Sequence, residues 1–565
     1  MNPDIIPTPL DAHFAAMMVK LNGAPNPDLE LAARTVSAWR AEGHICLPLA
    51  ALGGDDWAKK LGSSRVVGAP GEFKPLILDA GGRLYLQRYW QYERDLAAAI
   101  QARVGRAAAC DTALLAAGLK RYFRSPERPN WQSCAAETAL RKDFCVITGG
   151  PGTGKTRTVV AILALLHEQF TARGAVPRIA LAAPTGKAAA RMKESIQKAV
   201  ESDAAFEALR GKLPADATTL HRLLGVIPDS PYFRHDATRP LAADAVIVDE
   251  ASMVDLALMA KLFAAVPPHA RIVLLGDKDQ LASVEAGNVL GDICNTGGRA
   301  ASPAPIAAHL VELRKNYRFR DDSGIHRLSL LVNAGDADGA LGLIRTDGGL
   351  RDVLAAPTPA PPALAAALRS CVLDGYRAFL EAPTPLAALE QLGDFRILCA
   401  TRRGPFGVEN LNRLVEQTLA SAGRIAPEGT HYHGRPVLIR TNDYQLHLFN
   451  GDVGLILRDP EAGNELRAFF VDAAGELRRL LPARLPEHET AFAMTVHKSQ
   501  GSEFGRVLLV LPDRDGPLLT RELAYTGLTR ARDAIELWAN DAVLRAAIQR
   551  RTERSSGLRE ALWGA

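Results

Sequence analysis

The segment GGPGTGKT, Gly149–Thr156, limits what this chain can fold into more than any other stretch. It matches the pattern G-x-x-x-x-G-K-[ST]. The apolar run Phe144–Ile147 precedes it and the helical pattern TVVAILALLHEQF follows. A strand that ends in such a turn and opens a helix aims successive backbone N–H groups at one point, and glycine gives the turn its room. On this reading Gly149, Gly150, Pro151, Gly152, Thr153 and Gly154 form a phosphate cradle. Lys155 would neutralise β- and γ-phosphates and Thr156 would ligate Mg²⁺. A glycine-rich turn without a ligand is the bland alternative, and the strand–turn–helix context counts against it.

The surrounding pattern makes the cradle part of an α/β domain. Four short apolar runs, Phe144–Ile147, Ile179–Ala182, Ala245–Val248 and Ile272–Leu275, read as buried parallel strands separated by helical patterns. Ligands of such sheets bind at the carboxyl ends of the strands. The third run ends in VIVDEAS, where Asp249 would hold Mg²⁺ and Glu250 would orient and deprotonate a water. An acidic pair after a strand is weak evidence alone. Paired with the cradle it describes a nucleoside-triphosphate hydrolase.

At 565 residues the chain is too long for one core and should divide into about three domains. The net charge of +4 permits a basic groove without arguing for nucleic acid. Seven scattered cysteines without a CxxC pair argue against a zinc ribbon or a disulfide framework. The start shows no secretory signal, and no run approaches the roughly 18 apolar residues of a membrane span, so a cytoplasmic protein is expected.

The first 120 residues or so, with HICLPLAAL and RLYLQRYWQYE, read as a small helical or mixed accessory domain. Ala355–Ala367 reads as a Pro/Ala-rich spacer. A second strand series follows at Phe395–Cys399, Phe492–Thr495, Val507–Leu511 and Ile535–Trp538. Within it, about Arg424–Pro486, GRPVLIR and FNGDVGLIL look like strands joined by a tight Asn450-Gly451 turn, as in a small inserted β-barrel.

Further motifs separate motors from other nucleotide hydrolases. Gln280 in LLGDKDQLASVEAG lies just past the fourth strand, where an amide can sense the γ-phosphate. NYRF carries Arg318, and YTGLTRAR carries Arg530 and Arg532. An arginine offered across a cleft stabilises charge in phosphoryl transfer. In this order the series resembles the core of superfamily-one helicases. That resemblance implies two RecA-like parallel-sheet motor domains clamping ATP, Gln132 reading adenine, Arg318 and Arg530 as sensor and finger, and Glu503 contacting the ribose.

The closer likeness is to the RecD family, the alpha subunits of exodeoxyribonuclease V (the RecBCD complex). It rests on APTGKAAARM, TTLHRLLG, DQLASVEAGNVLGDIC, GPFGVENLN, RPVLIRTND, LFNGDVGLI, LPEHETAFAMTVHKSQGSEF and RTERSSGL. The stretch after Cys294 is shorter, and Ala355–Ala367 more Pro/Ala-rich, than the family pattern; neither touches an ATP motif. The resemblance implies an N-terminal mainly helical accessory and partner-contact domain (1–120) and a first motor domain (121–325) with a hairpin pin at about 226–244. A second motor domain (326–565) would carry an SH3-like β-barrel at about 424–486. It further implies ATP and Mg²⁺ as cofactors, 5′-to-3′ helicase activity in break repair and recombination, and RecB-like and RecC-like partners.

The expected single-stranded DNA track comprises Pro184, Thr185 and Lys187 at a helix start, Thr219 and His221, and Thr495, His497 and Lys498. For His221 a purely structural role is at least as good a reading. Two alternatives stand beside this reading. Relatives that act as free-standing helicases carry a long N-terminal extension, whereas 148 residues precede Gly149 here. A DNA-binding subunit with a dead ATPase is opposed by Lys155, Asp249, Glu250, Gln280, Arg318 and Arg530. No nuclease carboxylate cluster is evident, so cleavage is expected of a partner.

Overall fold

The computed structural model describes residues 7–54, 56–124, 129–214, 216–295, 304–320, 322–345, 350–443, 445–472 and 475–564. Two parallel sheets organise it. In the first, the strand order is Leu310–Glu312, Phe144–Thr148, Arg271–Gly276, Ala245–Val248, Ile179–Ala183, Ala217–Thr219, all parallel. Three of its middle strands are buried along their whole length, which is why they read as unbroken apolar runs. The two edge strands have three residues each and no such signature.

The second sheet has the order Val353–Ala356, Ala531–Trp538, Phe504–Val510, Phe395–Cys399, Ala493–Thr495, again all parallel. Val353–Ala356 corrects the spacer reading of Ala355–Ala367, because the stretch begins as an edge strand beside Ile535–Trp538. It ends inside the helix Leu364–Gly375, whose Leu364, Leu368 and Val372 are fully buried. Their four-residue spacing puts them on one helical face. The Pro/Ala composition masked that stripe.

Between Phe395–Cys399 and Ala493–Thr495 lies an antiparallel sheet ordered Leu477–Leu480, Glu465–Val471, Val453–Asp459, Arg435–Ile439, His488–Thr490. Alternation gives it two faces. Ile456 joins a core with Val437, Ile439 and Phe470, while Leu455 and Leu457 pack with the second parallel sheet. Arg435–Ile439 and Val453–Asp459 do pair, with Leu438 opposite Val453. They are not joined by a two-residue Asn450-Gly451 turn. The connection runs through residues 440–452 and is pinched by a bridge between Asp443 and Leu448. Asp443 accepts from the Gln445 and Leu446 amides at 2.9 and 2.8 Å, and Leu446 and Leu448 are buried, so the excursion is anchored at both ends. Gly451, with φ 97°, turns the chain back only at its end.

The expected hairpin at 226–244 is only a short antiparallel closure, with Val226 bridging Phe233 and the Arg234 and His235 amides donating to Gly225 O at 2.8 Å and Leu224 O at 2.9 Å, and the rest of the segment is turn-rich rather than a ladder. Pro228, Pro231 and Pro240 lack the N–H groups a ladder needs. Preceding the first parallel sheet, Pro9–Asn22 and Pro27–Ala41 pack on a four-stranded sheet whose strand Arg83–Leu86 runs into the helix Gln87–Val104. Tyr85 and Trp90 of the aromatic stretch are buried there. The chain returns to this region at its end, where Leu558 and Leu562 join the core of Gln87–Val104.

Candidate nucleotide site and the adjoining track

The Gly149–Thr156 loop joins the strand Phe144–Thr148 to the helix Lys155–Thr171, which opens toward it with its first amides. Gly152 and Gly154 have φ of 81° and 83°, the left-handed region glycine tolerates. The loop is also closely approached from outside. A Cβ on Gly154 would lie 2.1 Å from Gln132 Nε2, and one on Gly152 would lie 2.5 Å from Arg318 Cβ. Thr153 Oγ1 donates to Gly150 O at 2.8 Å. Lys155 Nζ donates to Gly149 O at 2.5 Å and Gly150 O at 3.1 Å, so the lysine lies folded across the cradle. Gln132 is buried and directs its amide at the carbonyl of Thr153 (3.3 Å).

Two neighbouring strands deliver acids beside the loop. Ala245–Val248 leads into Asp249, whose Oδ1 accepts from the Glu250 amide at 2.8 Å. Glu250 has φ 51°, a strained value for a non-glycine residue. Burial, and then the Asp249 charge, push the Glu250 carboxyl up, against Arg530, Lys155 and Arg191. Arg271–Gly276 leads into Asp277, which accepts from Gln280 Nε2 at 3.0 Å and Tyr525 Oη at 2.9 Å. Burial raises the Asp277 carboxyl, with Lys155 opposing.

The second parallel domain closes the other side. Glu503 joins two arginines, accepting from Arg318 Nη2 at 2.8 Å and pairing with Arg191 Nη2 at 2.6 Å. Burial alone would raise this carboxyl, but Arg191 and Arg318 outweigh it and hold it at about 2. Arg530 is 2% exposed and donates to Thr526 O and Ser502 O. Burial lowers its pKa while Glu250 and Glu503 favour its charge. Arg532 instead lies near the surface, 3.7 Å from Asp394.

Four buried polar atoms around this cleft, Gln280 Oε1, Arg318 Nη1, Ser252 Oγ and Ser502 Oγ, have no hydrogen-bond partner among the described residues. Buried polar atoms are rarely left unpaired, so their convergence beside a phosphate cradle fits a polar ligand. Sequence reading missed Asp277, Tyr525, Asn316 and Arg191. Asn316 Nδ2 donates to Pro151 O at 2.8 Å, and its Oδ1 accepts from the Arg318 and Phe319 amides. Arg191 could have been found, because it follows Lys187 by one helical turn in APTGKAAARM.

The track residues are mostly committed to their own elements. Thr185, Thr219 and Thr495 each accept from the amide three residues on, of Ala188, Arg222 and Lys498. Pro184 leads from the strand Ile179–Ala183 into the first of these turns. Lys498 Nζ pairs with Glu489 at 2.7 Å. His221 packs edge-on against Phe233, and burial lowers its pKa. His497 is lowered by burial and by Arg554. Lys187 and Thr219 line a groove of about 850 Å³ that also reaches Arg222, Phe449 and Glu503. Burial, with Arg396 and Arg191 and against Asp452, brings the Lys187 amine down to about 8.

Two parallel-sheet domains, with a phosphate cradle and acids on one and a buried arginine from the other, define a nucleotide-driven motor of the helicase class. Matches to known families agree: residues 132–286 match the AAA domain, 490–537 the UvrD-like helicase C-terminal domain, and 6–56 the RecBCD enzyme subunit RecD N-terminal domain. The chain is 39% identical over 586 residues to RecBCD enzyme subunit RecD of Mycolicibacterium smegmatis, covering 98% of this chain and 97% of that one. It is 41% identical to its counterpart in Mycobacterium tuberculosis (97% and 94%) and 36% identical to that of Haemophilus influenzae (84% and 80%). The chain belongs to the RecD family. A solved structure of Pif1 helicases at forked DNA aligns over 74% of this chain and 94% of that one, at 15% identity and a TM-score of 0.40.

Among the described residues, no helix is long and apolar enough to cross a membrane.

Proposed function

We propose that this chain is an ATP-dependent helicase that moves 5′ to 3′ on single-stranded DNA, as a subunit of an exodeoxyribonuclease V with RecB-like and RecC-like partners. Double-strand-break repair and homologous recombination in the cytoplasm are the setting this implies. The RecD family membership supports the partners and the polarity. On this reading the motor domains are RecA-like and span about 121–325 and 326–565, the antiparallel sheet is an SH3-like insertion, and residues 1–120 contact partners.

The observation that carries the motor reading is the grip on Leu281, next to Gln280. Its N–H donates to Thr526 Oγ1 at 3.0 Å and its carbonyl accepts from Gln500 Nε2 at 2.8 Å. Both partners belong to the second parallel domain, so an amide that senses a terminal phosphate is fastened to the part that must move. Gly149–Gly154 would cradle the phosphates and Gln132 would meet the base. Thr156 and Asp249 would hold Mg²⁺, which supplies charge neutralisation at the phosphates.

Glu250 would accept a proton from the attacking water, for which its raised pKa suits it. Arg530 and Arg318 would stabilise charge on the transferred group. Glu503 would hold both Arg318 and Arg191 in place, a positioning role beside any contact with the ribose. Thr185, Lys187 and Thr219 would grip the DNA backbone with Pro184, His221, Thr495, His497 and Lys498 along the same path.

The test compares unwinding of 5′-tailed and 3′-tailed duplexes by the full chain and by Lys155→Gln. Unwinding only from the 5′ tail, lost in Lys155→Gln, is expected. Preference for the 3′ tail overturns the polarity, and unwinding that survives Lys155→Gln overturns the motor reading.

A further inference from the structure

The last residues of the second parallel domain leave it and cross to the other two regions. After the helix Asp541–Gln549, the Thr552 amide and hydroxyl both donate to Glu522 Oε2 at 2.9 Å, which fastens the tail to the helix Arg521–Leu528. Two residues on, Arg554 Nη1 donates to Glu285 O at 2.7 Å and Gly287 O at 2.9 Å. These carbonyls close the loop that begins at Gln280 and Leu281.

The helix Arg521–Leu528 therefore holds that loop at two points. Thr526 takes its front at Leu281, and the chain Glu522–Thr552–Arg554 takes its back at Glu285 and Gly287. A shift of this helix would therefore pull on both ends of the loop.

The N-terminal region is joined at the same place. The Ile45 amide donates to Ser555 O at 2.9 Å, the Ser555 amide donates to His44 Nδ1 at 3.0 Å, and the Gly287 amide donates to Gly43 O at 2.9 Å. Gly43, at φ 91°, leaves room for the arginine, since a Cβ there would lie 2.7 Å from Arg554 Cζ. Arg554 also acts on the track side, reinforcing burial in lowering the His497 imidazole.

We propose that Arg554 is a positioning residue that transmits movement of the second parallel domain to the loop behind Gln280 and to the N-terminal region, keeping ATP hydrolysis in step with movement along DNA. The proposal rests on the motor reading above. Both carbonyls accept from the same guanidinium nitrogen, Nη1, while the rest of the planar group lies against Gly43; a lysine ammonium could supply the two donors but not the flat group that fills that space.

The experiment uses the full chain and measures ATP hydrolysed per nucleotide travelled on single-stranded DNA, with Tm as a check on folding. Arg554→Ala should keep DNA-stimulated hydrolysis within about twofold while translocation slows, so that the ratio rises by about fivefold or more. Arg554→Lys should recover part of this coupling. Gly43→Ala, which displaces the guanidinium without removing it, should raise the ratio in the same direction, and it decides the matter if Arg554→Ala does not fold. An unchanged ratio, or hydrolysis and translocation falling in parallel in these variants, overturns the proposal. If Lys155→Gln abolishes hydrolysis and the ratio is unmoved by Arg554→Ala, the coupling proposal alone fails. If Lys155→Gln leaves hydrolysis intact, the motor reading fails with it.

Discussion

Glu503 and Arg318 are joined by a 2.8 Å hydrogen-bonded ion pair across the cleft between the two parallel-sheet domains. Arg191 occupies the other carboxylate oxygen, so one acid holds two arginines that would otherwise repel. A carboxylate held at about 2 against an ordinary 4.5 contributes stability that is fully present above 4.5 and is lost as pH falls toward 2. Glu503→Gln should lower stability by roughly 3 kcal/mol at pH 7, from the size of that shift. The Tm gap between the parent and Glu503→Gln, followed by calorimetry from pH 7 to pH 4, should stay constant until about 4.5 and then narrow. A gap that widens on acidification rules out the carboxylate as its source.

Glu250→Gln should reduce ATP hydrolysis by about 10²–10⁴-fold and leave nucleotide affinity within a few-fold, because the loss falls on proton transfer rather than on the cradle. The parent's raised carboxyl places the acidic limb of its kcat profile above pH 4.5. Arg530 is first among the cations opposing that rise. Whatever activity remains in Arg530→Ala should therefore show an acidic limb displaced to higher pH, measured by phosphate release. A limb displaced to lower pH contradicts the assignment.

Gly154→Ala tests the crowding around the cradle. The new Cβ would fall 2.1 Å from Gln132 Nε2, at a φ of 83° that alanine adopts only with strain. ATP affinity should fall by about tenfold or more. Adding Gln132→Ala relieves the collision but not the backbone strain, and it removes the contact with the base as well, so the double variant should still bind more weakly than Gln132→Ala alone in a fluorescent-nucleotide titration. Equal affinity in those two variants means the backbone conformation is not what limits the site.

How much of this was legible in the residues depends on burial. The central strands read correctly because both faces are covered, leaving Phe144–Ile147 and Ala245–Val248 apolar throughout. The edge strands Ala217–Thr219 and Val353–Ala356 escaped, being short and half-exposed, with Leu354 69% exposed. Lys155, Asp249 and Glu250 were legible because chemistry fixes their spacing from a strand end. Tyr525 was not: its bond to Asp277 spans 248 positions, and nothing local marks a tyrosine as the partner of a distant acid. The tail RTERSSGL stood out as a motif, yet its bonds to His44, Glu285 and Gly287 exist only once three regions have folded together.

Lys187 gives the last prediction its sign. Burial, with Arg396 and Arg191, pushes its amine down to about 8. A cation gripping a DNA phosphate would thus be fully charged only below that pH. Lys187→Ala should weaken single-stranded DNA binding and reduce the slope of log affinity against log salt by about 1, the signature of one lost phosphate contact. The effect should depend on pH. Between pH 7 and pH 9 the parent's affinity should decline as Lys187 loses its proton, while that of Lys187→Ala should stay nearly level, so the two curves converge. DNA itself favours the charged amine and will move the midpoint above its free value, which the same titration reads directly. Parallel curves across this range, or an unchanged salt slope, would remove Lys187 from the track.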